Sequence, residues 1–423
     1  MTVVAKASAY PKSVQSGLPR LGACPLGWTR GPLSAHLIEE LRPLNMADDE
    51  VYDLVTVKRS RGGVVLRERL KGSQIAVKSQ FRLKAGDFLI SKRQIVHGAC
   101  GIVPPELDGN IVSNEYSVLR ARPSLDLNFL NCLAHSIYFQ QTCFHSSIGV
   151  HVEKMIFKLD QWMKWDFDLP PLAEQRRIAE ILSTWDRAIE TAEALVANAR
   201  ALKAALMQGL LTGKQRVAGF GEAWKEVELR EVAKVTSGGT PDRNRPEFWG
   251  GDIPWVTTSE IGDGPIVSTE QFITSEGLRA SAAKIFPAGT LLMAMYGQGA
   301  TRGKVSHLSI SSTTNQACAA IIPNRQVMAE FMFQNLSDRY FEIRNLSNSG
   351  SQKNLSLEII KNIKVLLPPL AEQKCIADIL GAWELSVETG TRLIASTRVQ
   401  KVALMQQLLA GKRRVAVVES EAA

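Results

Sequence analysis

The chain has no long apolar run. Nowhere do its 423 residues approach the roughly 18 consecutive apolar residues of a membrane span, and Met1 to Ser13 hold no apolar signal core. No membrane role is expected, and a cytoplasmic location is. Cysteine is scarce and scattered. The six cysteines, Cys24, Cys100, Cys132, Cys143, Cys318 and Cys375, include no C-x-x-C pair, so neither a zinc site nor a disulfide framework is expected. The six histidines form no H-x-x-x-H pair, and His145 and His151 are spaced wrongly for one helical face. Two near-motifs also fail. Asp168-Leu169-Pro170-Pro171-Leu172 departs from the Asp/Asn-Pro-Pro-aromatic loop of adenine methyltransferases, because a leucine intervenes and no aromatic residue follows. Gly297 to Val305 looks like a phosphate loop, but the spacing to Gly303 is wrong and Val305 replaces the magnesium-binding hydroxyl. No catalytic residue, metal site or cofactor is therefore expected on this chain.

What is present begins with charge. Fifty Lys and Arg against 42 Asp and Glu give +8 and a pI of about 9.1, a balance that favours a polyanionic partner such as nucleic acid. Apolar content of 45% and charged content of 22% are those of ordinary globular protein, and the length suits two or three domains.

One passage occurs twice. Leu169-Pro170-Pro171-Leu172-Ala173-Glu174-Gln175 recurs as Leu367-Pro368-Pro369-Leu370-Ala371-Glu372-Gln373. The offset is 367 − 169 = 198 residues, and 28 of 49 positions are identical through Val217 and Val415. This period is far longer than the roughly 20–50 residues of a solenoid unit; it describes two similar halves. Each copy predicts a long helix. Two prolines precede it, a glutamate sits in its first turn where the helix dipole favours a carboxylate, and Gly213 or Gly411 stops it. Apolar residues step by four and three: Ile178, Leu182, Trp185, Ile189, Ala192, Val196, Ala199, Leu206 and Leu210, then Ile376, Leu380, Trp383, Val387, Gly390, Ile394, Leu404 and Leu408. That spacing is a coiled-coil seam, interrupted at Lys203 and Lys401. About forty residues make a rod of roughly 60 Å whose single apolar stripe needs a partner. The other copy, running antiparallel, is the nearest.

The segments outside the rods are strand-rich. Val51–Val57, Gly86–Ser91, Asp252–Thr257 and Gly289–Ala294 alternate or run apolar in short stretches punctuated by glycine. They also align faintly with each other. Ala85–Leu89 answers Ala288–Leu292, Gly101 answers Gly303, Ser113–Glu115 answers Thr314–Gln316, and Leu159-Asp160 answers Leu357-Glu358. The expected organisation is a first globular domain at 1–168 (with 1–22 a leader), a helical spacer at 169–217, a second globular domain at 218–366, a second spacer at 367–415 and a tail at 416–423.

This order of variable segment, L-P-P-L-A-E-Q helix, variable segment and L-P-P-L-A-E-Q helix resembles the specificity subunits of type I restriction–modification systems, over nearly the whole chain. Ser237–Pro241, Phe248–Trp255 and Thr301-Arg302-Gly303 look like family hallmarks in the second segment, as do Gly86–Ser91 and Ile111–Glu115 in the first. Leu26-Gly27-Trp28-Thr29 only loosely matches Glu222-Ala223-Trp224-Lys225, and residues 1–22 have no counterpart. The resemblance implies an α+β fold: two similar mixed α/β target-recognition domains, pseudo-two-fold, separated by two long antiparallel helices forming a coiled coil. It implies that each domain reads one half of a split double-stranded DNA target with an indifferent spacer. It implies that the helices dock two methyltransferase subunits, and that restriction subunits supply translocation and cleavage. S-adenosylmethionine, ATP and Mg are expected on those partners.

Given that family, base-reading side chains are sought in glycine-rich loops, where Arg and Lys suit guanine and Asn and Gln suit adenine. The candidates are Lys58, Arg59 and Arg61 with Lys92, Arg93 and Gln94 in the first domain. In the second they are Thr240, Arg243, Asn244 and Arg245; Tyr296, Gln298, Thr301, Arg302 and Lys304; and Ser351, Gln352, Lys353 and Asn354. Two other readings compete: a self-sufficient nuclease or methyltransferase with duplicated domains, and an adaptor whose globular parts do not touch DNA. The missing cofactor loop argues against the first, the basic loops against the second.

Overall fold

Two proline-led helices, Leu172–Leu210 and Leu370–Leu409, carry the repeated passage in the computed structural model, 39 and 40 residues long. The structure describes residues 17–262, 264–297, 300–346 and 354–416. Gln298, Ser351, Gln352 and Lys353, and residues 1–16 of the expected leader, lie outside them. Both helices stop where expected, before Gly213 (φ +71°) and Gly411 (φ +63°), a left-handed conformation that glycine adopts without steric cost. No helix among the described residues is long and apolar enough to cross a membrane.

The chain divides into two compact units, 1–191 with 394–423, and 192–393. In the first, Ile178 and Leu182 of the first helix share a core with Leu404 and Leu408 of the second. In the second unit, Leu206 and Leu210 pack with Ile376 and Leu380. Early residues of one helix thus meet late residues of the other, so the helices run antiparallel within each unit. The predicted seam faces inward: Ile178, Leu182, Ile189, Val196, Ile376, Leu380, Val387, Ile394 and Leu408 are buried, while Trp185, Trp383, Leu206 and Leu404 are half-buried. Each fully buried aliphatic side chain contributes about 1.5–3 kcal/mol. Gly390 fits because Val196 Cγ2 would lie 2.6 Å from any Cβ placed there.

The two lysines that interrupt the seam are explained by the structure. Lys203 pairs with Glu384, and Lys401 pairs with Asp186. Glu384 and Asp186 are themselves repeat equivalents, so each lysine lays its methylene stem along the seam and takes its charge to the rim.

The same reciprocity anchors the helix starts. Glu372 accepts from Arg216 Nε and Nη2 at 2.8 Å each, and Glu174 accepts from Arg414 Nε and Nη2 at 2.7 Å each. Both carboxylates are buried. Sequence spacing assigned them only to the helix dipole; in the fold each also grips the tail that follows the other helix. Gln175 Oε1 accepts from Asp126 N (2.9 Å) while its amide donates to the carbonyls of Ser124 and Pro170. Gln373 repeats this with Met328 N, Gln326 O and Pro368 O. The repeated Glu-Gln pair therefore ties each helix to its own globular part and to its partner helix.

The globular parts share one four-stranded sheet, while their second sheets differ, with five strands in the first unit and three in the second. A four-stranded antiparallel sheet in the first unit runs in the order Leu37–Glu39, Tyr116–Ala121, Phe88–Ser91, Cys100–Ile102. Its counterpart runs Ala233–Ser237, Cys318–Pro323, Leu291–Ala294, Val305–His307. A second sheet contains one parallel pair in each unit, Val51–Val57 with Ile111–Ser113, and Trp249–Val256 with Thr313–Thr314. Strand Thr29–Pro32 pairs with Asp166–Leu169 as Lys225–Glu228 pairs with Lys364–Leu367, which makes Trp28 the equivalent of Trp224. The end of the expected leader is tied in as well, because Gly22 O accepts from Arg30 Nη2 at 2.7 Å.

One pairing from the sequence needs correction. Strand register sets Gly101 opposite Leu89, and Ser306 opposite Leu292, so Gly101 corresponds to Ser306. The counterpart of Gly303 is Gly98. Both have positive φ (+87° and +76°) and lie one residue short of the strand that closes the four-stranded sheet.

Candidate nucleic-acid interface

In the first unit the two predicted basic loops meet. The hairpin of Val51–Val57 and Val64–Lys71 turns through Lys58 to Gly63, and its tip is pinned by Ser60 N to His97 O (2.7 Å) and Arg61 N to Gly98 O (2.8 Å). Ser60 and Arg61 are the non-glycine residues with positive φ among the described residues (56° and 57°). Strain of this kind gathers where a loop must hold one shape for binding. Arg59 donates from Nε to Gln94 Oε1 (2.8 Å) and pairs with Glu153 (3.0 Å). Arg93 pairs with Glu115, and Lys92 Nζ donates to Asn114 O at 3.0 Å. Lys58, Arg59 and Arg93 are exposed; Lys92 and Gln94 are half-buried. Arg61 differs. Its guanidinium turns inward toward Ala134 O (3.4 Å), its Nη1 lies 2.9 Å from where a Cβ on Gly98 would sit, and burial pulls its pKa below the ordinary value. Arg61 therefore serves the loop's shape rather than its outer face.

In the second unit the described candidates lie on two loops and at Asn354. Thr240, Arg243, Asn244 and Arg245 precede strand Trp249–Val256. Thr240 donates to Gln316 Oε1 (2.5 Å), Asn244 N donates to Asp242 Oδ1 (2.9 Å), and Arg245 pairs with Glu247 (2.7 Å). Gly238 and Gly239 pack so tightly on Thr314 and Ala282 that no Cβ fits at either, which explains the Ser-Gly-Gly-Thr-Pro run. Tyr296, exposed, and Thr301, Arg302 and Lys304, half-buried, sit between strands Leu291–Ala294 and Val305–His307. Leu355 N donates to Met295 O at 3.0 Å, which ties the residue after Asn354 to the residue before Tyr296.

Sequence reasoning missed the support beneath that loop. Tyr340 Oη donates to Ala300 O (2.7 Å) and accepts from Arg344 Nη1 (3.0 Å), while Arg344 Nη1 also reaches Arg302 O (3.3 Å). No sequence signal marks these residues, because their role depends on a contact across about forty positions. Tyr340→Phe removes both hydrogen bonds of the hydroxyl, and the one that holds Ala300 is typically worth about 0.5–1.5 kcal/mol. Amide exchange across residues 300–304 should therefore quicken about 2- to 12-fold, with exchange in strand Leu291–Ala294 unchanged; equal rates in both proteins would show that the loop does not depend on Tyr340.

Among the described residues no group of three or more His, Cys, Asp or Glu is placed to hold a metal ion. The thiols of Cys100, Cys132 and Cys318 are pushed up to about 12 by burial, so they stay protonated and unreactive at neutral pH.

Residues 42–198 and 221–395 each match the type I restriction modification DNA specificity domain. The chain is 26% identical over 407 residues to the type I restriction enzyme MjaVIII specificity subunit of Methanocaldococcus jannaschii, covering 89% of this chain and 90% of that one. It is 28% identical over 165 residues to the type I restriction enzyme EcoR124I/EcoR124II specificity subunit of Escherichia coli, a match that spans 38% of this chain and only 40% of that relative. Its fold is similar to the crystal structure of the HsdS subunit from Thermoanaerobacter tengcongensis, with a TM-score of 0.55 at 20% identity over 93% of this chain and 99% of that one.

Proposed function

Because the chain belongs to the type I restriction modification DNA specificity family, with two copies of its domain, we propose that it is the DNA-reading subunit of such a complex. Each unit reads one half of a bipartite double-stranded target, and the base pairs between the halves go unread. The observation that carries this reading is the doubled domain itself: the strand order of one four-stranded sheet occurs twice, with unlike side chains on the loops that follow equivalent strands. A conserved frame with divergent loops suits recognition of two different sequences. Phosphate contacts from exposed cations such as Lys58 fix position, and loop side chains read base edges.

The chain performs no chemistry in this proposal. Its antiparallel helices dock two methyltransferase subunits that bring S-adenosylmethionine, and restriction subunits bring ATP, Mg and cleavage. Selection from a pool of randomised duplexes by the full chain, with and without methyltransferase subunits, tests it. Two short conserved blocks at a constant interval are expected, with affinity falling steeply with salt. Recovery of one continuous block, or of no sequence at all, would overturn it.

A further inference from the structure

We propose that Arg243 is the side chain with which the second unit recognises a guanine. This assignment rests on the DNA-reading function proposed above and narrows it to one residue and one base. The Arg243 guanidinium carbon lies 4.4 Å from the Trp249 ring centroid and 5.0 Å from that of Trp255, in the corner formed by two indoles that meet edge to face at 5.0 Å. Trp255 is buried and Trp249 half-buried, while Arg243 is exposed. The same indoles fix the backbone that carries the arginine: Trp249 Nε1 donates to Asp242 O (3.2 Å) and Trp255 Nε1 to Gly239 O (3.0 Å).

The partner atom distinguishes this arginine from three other candidate arginines. Arg59, Arg93 and Arg245 are matched by Glu153, Glu115 and Glu247. Arg243 Nη1 instead donates to the neutral amide of Gln271, Oε1 at 3.1 Å. An amide orients the guanidinium without cancelling its charge. With Nη1 engaged, Nε and Nη2 remain as a planar pair of donors, the geometry that matches O6 and N7 of guanine in the major groove. A phosphate contact needs positive charge but no fixed plane. Stacking on two rings and an amide brace supply a fixed plane, and they supply it before DNA arrives. Gln271 is a positioning residue in this arrangement.

The test compares full-length wild type, Arg243→Ala, Arg243→Lys and Gln271→Ala by the same randomised-duplex selection and by titration at several salt concentrations. The wild type should require guanine at one or more positions of a single half-site. Arg243→Ala should relax one such position by about 5- to 160-fold, the range of one bidentate contact, and leave every other position unchanged. Arg243→Lys should keep the salt dependence yet fail to restore the guanine, because an ammonium lacks the planar fork. Gln271→Ala should relax the same position by less. A uniform loss across all sequences with a salt slope shallower by about one would make Arg243 a phosphate contact and overturn the assignment while the DNA-reading function stands. Unchanged selection by Arg243→Ala would overturn it too. If the wild type itself selects nothing, the function beneath fails and the assignment goes with it.

Discussion

Exchange of residues 218–366 for the matching segment of another family member is expected to replace one half of the recognised sequence and leave the other intact. The segment's frame repeats that of the first unit, but its loops differ, so the exchange changes what is read without touching the first unit's own loops. Each mismatched base pair costs roughly 1.4 kcal/mol, so three mismatches in one half-site amount to about 1,000-fold. The hybrid should prefer its new composite target over the original by at least that order, measured by selection from randomised duplexes. The incoming segment must keep a tryptophan at position 224, because Trp224 Nε1 donates to Glu372 across the start of the second helix. Loss of both half-sites in a folded hybrid would contradict the independence of the units.

The second large effect concerns folding. Glu372 has no exposed side-chain surface, and three side-chain donors converge on it: Nε and Nη2 of Arg216, and Nε1 of Trp224 at 3.0 Å. Glu372→Ala leaves the tryptophan N–H without an acceptor and frees the tail, at a cost of about 2–3 kcal/mol. Its repeat equivalent is weaker. Among the described residues Arg414 supplies the side-chain donors to Glu174, and Trp28 Nε1 has no hydrogen-bond partner there, so Glu174→Ala should cost about 1 kcal/mol less. Urea titration followed by hydrogen exchange separates the units by their own peptides; equal losses would refute the difference. The pH dependence has a definite sign. Arg216 holds the Glu372 carboxyl below its ordinary value of 4.5, so this contribution is complete above about that pH and is lost as pH falls through the lowered folded value. Wild type and Glu372→Gln should therefore converge in acid.

Much of this frame was legible in the repeat. The four-three spacing identified the inward positions from Ile178 to Leu408, because a long helix with one apolar stripe exposes that stripe unless a second helix covers it. The glycine stops and the segment correspondence from Ala85 to Leu292 were equally readable. Hydrogen-bond partners were not. Glu174 and Glu372 read as dipole partners because spacing reports only local neighbours, and Arg414 lies 240 residues from Glu174. Their signal was present in disguise: Arg216 and Arg414 are identical at the repeat offset. The basic loops were legible as clusters, but charge in a sequence cannot separate Arg59, beside Glu153, from Arg243, beside an amide. Nor can it reveal that Arg61 turns inward.

The most direct measurement is single-molecule sequencing of methylated bases in DNA from cells that carry this chain with methyltransferase subunits of such a complex, compared with cells lacking only this chain. The account predicts one asymmetric motif, two short unlike blocks separated by a fixed number of unread base pairs, present in the first cells and absent from the second. A single uninterrupted motif, or the same motif in both, would contradict it.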